Sequence, residues 1–219
     1  MPLVINLLLI FLLTACNTTT TIDEYRSFDE KVSVGSEETV ALLGRRDAGH
    51  YETDDEFVSC VGGKLRSQNL KVLPERGLID ALYPWLEPRT APKGLLRMRQ
   101  LIQEPLVKKA IADRGIRFLV WLDGSTETLD RNGSISCAAG PGGAGCFGFA
   151  TWDKASIYEA IVWDLSDVSE VARVRVDSEG TSYLIGAIAP IPLLTPVKND
   201  ACKGLSSQLE AIFEQEKSD

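Results

Sequence analysis

Histidine occurs only once in this chain of 219 residues, as His50. Any Ser/His/Asp or Cys/His arrangement for nucleophilic catalysis must be built on that one ring, and no Gly-x-Ser-x-Gly elbow accompanies it. Metal ligands are also scarce. No Cys-x-x-Cys spacing occurs and His50 is the sole imidazole, which disfavours a zinc centre, and no cofactor is expected. No Lys/Arg cluster stands out and the formal net charge is -8, which argues against nucleic acid as a partner. After residue 16 no run reaches the roughly 18 to 20 apolar residues that a membrane-crossing helix needs.

What the sequence does have begins with an apolar run from Leu3 to Leu13, ending in Leu13-Thr14-Ala15-Cys16. A run of this length is too short to span a bilayer but suits the h-region of a secretory leader, although no Lys or Arg precedes it. Leu-Thr-Ala before a cysteine resembles the lipobox of bacterial lipoproteins. The resemblance implies a signal peptide over 1–15, acyl chains such as palmitate on Cys16, and a membrane anchor through the N-terminal lipid. Asn17, rather than Asp, resembles an outer-membrane address. Two or more acyl chains anchor stably, so the body needs no membrane surface of its own. Residues 16–36 are polar and lack an apolar period, which predicts a lipidated cysteine on a flexible tether spanning up to about 65 to 70 Å when extended.

An oxidising compartment leaves four cysteines besides Cys16: Cys60, Cys137, Cys146 and Cys202. Four cysteines allow three pairings. Cys137 and Cys146 flank a Gly-rich stretch flexible enough to close on itself, which favours pairing them and leaves Cys60 for Cys202. In the chain-entropy model these bridges contribute about 3 and about 5 kcal/mol.

Over 37–219 the pattern predicts one α/β body of layered α+β character, a single mixed sheet with helices packed on it. Thr39–Leu43 reads as a buried strand. Thr53-Asp54-Asp55-Glu56 reads as a capping box for a helix that puts Phe57, Val61 and Leu65 on one face, with Gly62-Gly63 allowing close approach to the sheet. Helical segments over 78–86 and about 90–114 follow, interrupted near Pro84 and Pro105, and then a strand over 116–122. In the C-terminal half, Asn132-Gly133 signals a type I′ hairpin. The runs 133–139, 146–152, 157–165 and 171–176 form a β-meander, followed by a C-terminal helix over about 199–215.

This order, with the helix-Gly-strand unit from Ala110 to Val120, then Ile161–Leu165 and Val171–Val174, resembles periplasmic α/β lipoprotein domains. These include the N-terminal domain of TolB, the curli-secretion lipoprotein and the lipoprotein activators of penicillin-binding proteins. It also looks like a group of bacterial lipoproteins, themselves uncharacterised, that share a Gly-rich cysteine loop. The resemblance implies a scaffold or interaction role in the envelope and carries over no catalytic residue.

Two places invite a site. Arg45, Arg46, Asp47 and His50 lie between a strand and a helix N-terminus, where α/β sheets often bind ligands, but Asp54, Asp55 and Glu56 already occupy the electropositive helix end. Tyr83, Trp85 and Leu86 form a candidate partner patch if exposed. The Gly140–Gly145 run lacks the Lys-Ser/Thr of a phosphate loop and reads as a disulfide-clipped turn. The sequence therefore favours a non-enzymatic interaction or assembly module, lipid-anchored in the bacterial envelope and facing the periplasm from the outer membrane. Its partner would be another envelope protein or a second copy of itself. The alternative is a periplasmic hydrolase or small-ligand-binding protein using the Arg45–His50 loop. Labelling with a radioactive or clickable fatty acid should mark the wild-type protein and leave Cys16→Ser unlabelled; equal labelling would refute the lipobox reading.

Overall fold

The computed structural model describes residues 18–26, 32–47, 51–87, 89–140, 143–186, 190–193 and 196–215. The expected leader, Cys16 and His50 lie outside the described residues. The strands are β1 (Thr18–Arg26), β2 (Val32–Val34), β3 (Thr39–Gly44), β4 (Arg46–Asp47), β5 (Tyr51–Glu52), β6 (Val72–Leu73), β7 (Ile116–Gly140), β8 (Gly143–Asp164), β9 (Ser169–Gly186), β10 (Pro190–Leu193) and β11 (Phe213–Gln215). The helices are α1 (Asp55–Ser67), α2 (Glu75–Ala81), α3 (Leu95–Gln103), α4 (Pro105–Ala112) and α5 (Val197–Ile212). The main sheet runs β1-β9-β8-β7-β3-β6, with β10 pairing β9. It is mixed: β3 lies parallel to β6 and β7, whereas β10 is antiparallel to β9.

The chain forms two compact units, each assembled from separate segments. The layered unit comprises Ile22–Ser125, Ile157–Val176 and Ala201–Asp219. Its β3 is buried at every position, as a continuous apolar run flanked by parallel strands should be. The period of two divides its side chains between two cores. Val40 and Leu42 join Phe118, Val120 and Leu122 beneath α1 and α5, whereas Ala41 and Leu43 join Leu119 and Trp121 beneath α2, α3 and α4.

Helix α1 begins with Asp54 as its cap, whose carboxylate accepts from the Glu56 N–H at 2.8 Å. Thr53, the expected first residue of the capping box, instead donates its hydroxyl to the buried Leu122 carbonyl at 3.0 Å, tying the helix entrance to β7. Phe57, Val61 and Leu65 face the core, and Phe57 stacks on Tyr158 with ring centroids 3.4 Å apart. Gly62 is the glycine that permits the approach, because a Cβ there would stand 2.8 Å from Leu42 Cδ1, whereas one at Gly63 would meet open space. Cys60 of α1 and Cys202 of α5 form a disulfide with Cα atoms 6.4 Å apart, joining the two helices that share one core.

The ribbon unit comprises Met1–Thr21, Thr126–Ser156 and Asp177–Asp200. Here the expected Asn132-Gly133 turn is corrected: both residues lie inside β7, so the run 133–139 continues the strand that begins at Ile116. Likewise 146–152 and all but the last residue of 157–165 belong to one strand, β8. Gly133 has φ +87°, and a Cβ there would run into the Phe149 carbonyl oxygen of β8. The positive φ that Asn-Gly supplies to hairpin turns is used here to kink a strand whose pairing continues. The Cys137–Cys146 disulfide bridges β7 and β8 beside the Gly-rich connection.

Two described segments within the span expected as a tether pair with other strands. Thr18–Arg26 is a strand at the edge of the main sheet, and Val32–Val34 pairs in parallel with β11. Four successive threonines and Ile22 are β-branched, and backbone pairing with β9 needs no apolar face; Thr20 and Ser178 add a hydroxyl hydrogen bond at 2.9 Å.

One ion network crosses the layered unit. Arg117 of β7 donates to both carboxylate oxygens of Asp164 in β8, each at 2.7 Å, and to Glu38 Oε1 at 3.1 Å. Burial alone would raise the Asp164 carboxyl, but the hydrogen bonds from Arg117 and Ser166 overcome it and hold the pKa below the ordinary carboxylate value. A depressed folded-state pKa contributes stability that is present above the unfolded value, near pH 4, and lost as pH falls through the folded one. Asp164→Asn should therefore lower stability at neutral pH by about 1–3 kcal/mol and flatten the acid limb of a denaturation-against-pH curve below about pH 4.

Candidate functional site

The sequence-predicted loop opens at the carboxyl end of β3, where Arg45 and Arg46 make different partnerships. The Arg45 N–H donates to the Leu122 carbonyl at 2.7 Å, and its guanidinium Nη1 to Asp123 Oδ2 at 3.1 Å. Arg46 instead engages Glu75, the first residue of α2. Its Nη2 donates to Oε2 at 2.7 Å and its Nε to Oε1 at 3.3 Å, while Asp55 Oδ1 stands 3.6 Å from Nη2. The same Oε1 accepts the Gly44 N–H at 2.9 Å. Glu75 thus holds the end of β3, the following arginine and the start of α2 together. Its hydrogen bond raises the Arg46 pKa above the ordinary guanidinium value against the opposing effect of burial. Asp47 lies in β4, paired with Tyr51, and His50 lies outside the described residues.

Beside this pair is a groove of about 460 Å³ with Leu42 and Val58 in its lining. Its polar lining is Arg46, Asp55, Ser59, Arg66, Glu75 and Arg76. Three guanidinium groups face two carboxylates, one of which already engages Arg46, so the remaining balance suits a small carboxylate or phosphate ester. Arg45 is not in this lining. Sequence reasoning missed Glu75, Arg66 and Arg76. Pro74 before Glu75 marks a helix start, but no motif links a residue at 75 to one at 46. Arg66 carried only the charge expected of a last helical turn.

The expected partner patch is divided by the core. Tyr83 is 67% exposed, Trp85 is half-buried against the α2–α4 core, and Leu86 is buried within it, so Leu86 contributes to packing instead of contact. The ribbon unit also exposes large apolar side chains. Phe147 is 81% exposed, and Phe149, two residues on, is 51% exposed with its ring centroid 6.1 Å from that of Tyr183. Both follow the bridged Cys146. Hydroxyl contacts support the ribbon: Thr126 with Ser156 at 2.7 Å, and Thr181 donating to Asp153 at 2.6 Å. The run 146–152 is legible as a strand, but nothing local in it shows that Phe147 and Phe149 face solvent, because that depends on which face the distant chain covers.

Among the described residues no His/Cys/Asp/Glu group is placed to hold a metal ion, and no helix is long and apolar enough to cross a membrane. No protein-family model and no curated protein matches the chain. Among solved structures it is similar to the PelC dodecamer from Paraburkholderia phytofirmans, with a TM-score of 0.41 and 10% identity over 91% of this chain and 100% of that one. A point variant of the same dodecamer gives a TM-score of 0.41 and 10% identity over 88% and 97%.

Glu75→Ala would strand the Gly44 N–H and leave Arg46 with only the weaker attraction of Asp55 and Glu52. It should cost about 2–3 kcal/mol in chemical denaturation, and a loss below about 0.5 kcal/mol would show that the Gly44–Glu75–Arg46 junction is not a structural tie.

Proposed function

We propose that this chain is an extracytoplasmic, lipid-tethered interaction module of the bacterial envelope that acts by contact with another envelope protein or with a second copy of itself. The observation that carries this reading is the disulfide-clipped ribbon with exposed Phe147 and Phe149. Exposed aromatics on a rigid support provide large contact area at low entropic cost, the usual composition of a contact hot spot. Two cysteine pairs at bonding distance support an oxidising compartment, consistent with a leader and lipid anchor at the N-terminus and with an outer-membrane address facing the periplasm.

A second reading, a small-ligand-binding protein, is favoured by the groove beside β3. In that reading Arg66 and Arg76 would receive an anionic ligand, because Arg46 is already engaged by Glu75 and Arg45 is absent from the lining.

Crosslinking in intact envelopes followed by mass spectrometry tests the leading reading. The wild-type protein should give a discrete crosslinked species that Phe147→Ser/Phe149→Ser loses, with a melting temperature shifted by no more than a few degrees because both rings are exposed. Crosslinks that persist unchanged in the double variant would rule out the ribbon as the contact surface.

A further inference from the structure

The helical layer α3–α4 has a charge opposite to that of the whole chain. Residues 89–109 contain six cationic side chains, Arg89, Lys93, Arg97, Arg99, Lys108 and Lys109, and one acidic side chain, Glu104, in a chain of net charge -8. All six cations are exposed, and Lys109 is paired with Asp113 at 2.8 Å just past α4. Neither helix contains an Asp or Glu. Arg89, Lys93 and Arg97 come together with Gln100 and Glu104 around a groove of about 370 Å³. Spaced by four through a segment that is helical only at Arg97, they form no continuous cluster in the sequence, and the fold gathers them.

Two leucines project from the same layer. Leu96 is 73% exposed and Leu106 67% exposed, whereas Met98, Ile102, Val107 and Ile111 supply the inward face that packs on the sheet. The core demand of both helices is thus already met, and Leu96 and Leu106 are aliphatic groups left over among cations. That combination points to a particular class of partner. A nucleic acid backbone would use the charges but not the leucines, and the net negative charge of the chain would oppose a long polyanion. A bilayer surface bearing anionic headgroups uses both: the cations meet lipid phosphates while short aliphatic groups enter the headgroup boundary.

We infer that the α3–α4 layer is a peripheral docking face for anionic phospholipid headgroups, with Arg89, Lys93 and Arg97 receiving the phosphate and Leu96 and Leu106 entering the interface. The contact is shallow and salt-sensitive, since it has two apolar side chains and no free helix face to insert. It does not depend on the aromatic ribbon and holds whether or not Cys16 is acylated. With a lipid anchor it would orient the layered unit on the surface that the anchor reaches.

Hydrogen exchange of the full chain on vesicles tests this locally, because binding through the apolar N-terminus would not by itself protect residues 89–109. Peptides covering 89–109 should exchange several-fold more slowly on vesicles containing phosphatidylglycerol than on pure phosphatidylcholine, and the protection should vanish at about 0.5 M salt, where charge attraction is screened within a few ångströms. Arg89→Gln/Lys93→Gln/Arg97→Gln should weaken the phosphatidylglycerol-dependent binding about 100-fold, and Leu96→Ser/Leu106→Ser should weaken it at equal charge; circular dichroism would verify that both variants fold. Equal protection on phosphatidylcholine, or full protection in the triple variant, overturns the proposal. The same protection from soluble glycerol 3-phosphate would assign a free-anion site instead. Protection by duplex DNA or an acidic protein without a bilayer would assign a macromolecular partner, and either result overturns the lipid surface.

Discussion

The two-sided burial of β3 sets the arrangement of the layered unit. A strand with every residue inside cannot be served by one layer, so Val40 and Leu42 require cover on one face and Ala41 and Leu43 on the other. Helices α1 and α5 supply the first cover, and α2, α3 and α4 the second. At the carboxyl end of the strand the backbone must leave this sandwich. Glu75 accepts the Gly44 N–H there and turns its remaining valence to Arg46. The groove beside it arises at the same exit, where α1 and the start of α2 line it together. Burial thus positions the groove, and the polar tie at its edge offsets the cost of ending a fully buried strand.

Core and surface place different demands on the helices. Helices α1 and α5 are joined to each other covalently through Cys60 and Cys202, with Gly62 drawn close to Leu42. The opposite cover is built from three short helices separated by prolines, whose inward residues include Leu78, Met98, Ile102, Val107 and Ile111 and whose outward residues include several cations. Short helices present more termini and turns to solvent than one long helix would. That geometry lets side chains from the 89–94 turn and from α3 converge on one groove.

Much of the layered unit was legible because its signals are local. The acidic first turn and the spacing of Phe57, Val61 and Leu65 identify α1, and the unbroken apolar run at 39–43 identifies a strand buried on both faces. The Gly-rich loop made Cys137 and Cys146 an obvious pair, and the remaining two cysteines then fell on helices sharing a core. Failures came where a residue's meaning depends on distant chain. Asn132-Gly133 has the conformational freedom of a turn, but whether the chain turns or kinks is decided by Phe149 and its neighbours on β8. Thr18–Arg26 has no apolar period because an edge strand can be held through its backbone. Thr53 was read as a local cap, yet its hydroxyl serves Leu122, 69 residues away. The same limit applies to the candidate site: Arg46 was visible beside a strand end, whereas Glu75, Arg66 and Arg76 acquire their meaning only when α1 and α2 meet.

The bridge between Cys60 and Cys202 closes a covalent ring across 142 positions of sequence. That ring contains the Gly-rich connection, two of the three ribbon segments, the proline-separated helices and most of the main sheet. A protease that nicks any one peptide bond within it opens a loop without releasing a fragment, and the two ends stay held by the α1–α5 junction. Where degradative enzymes are present, a single cut between residues 60 and 202 would therefore add one water without separating the chain, and fragments would appear only when the disulfide is reduced.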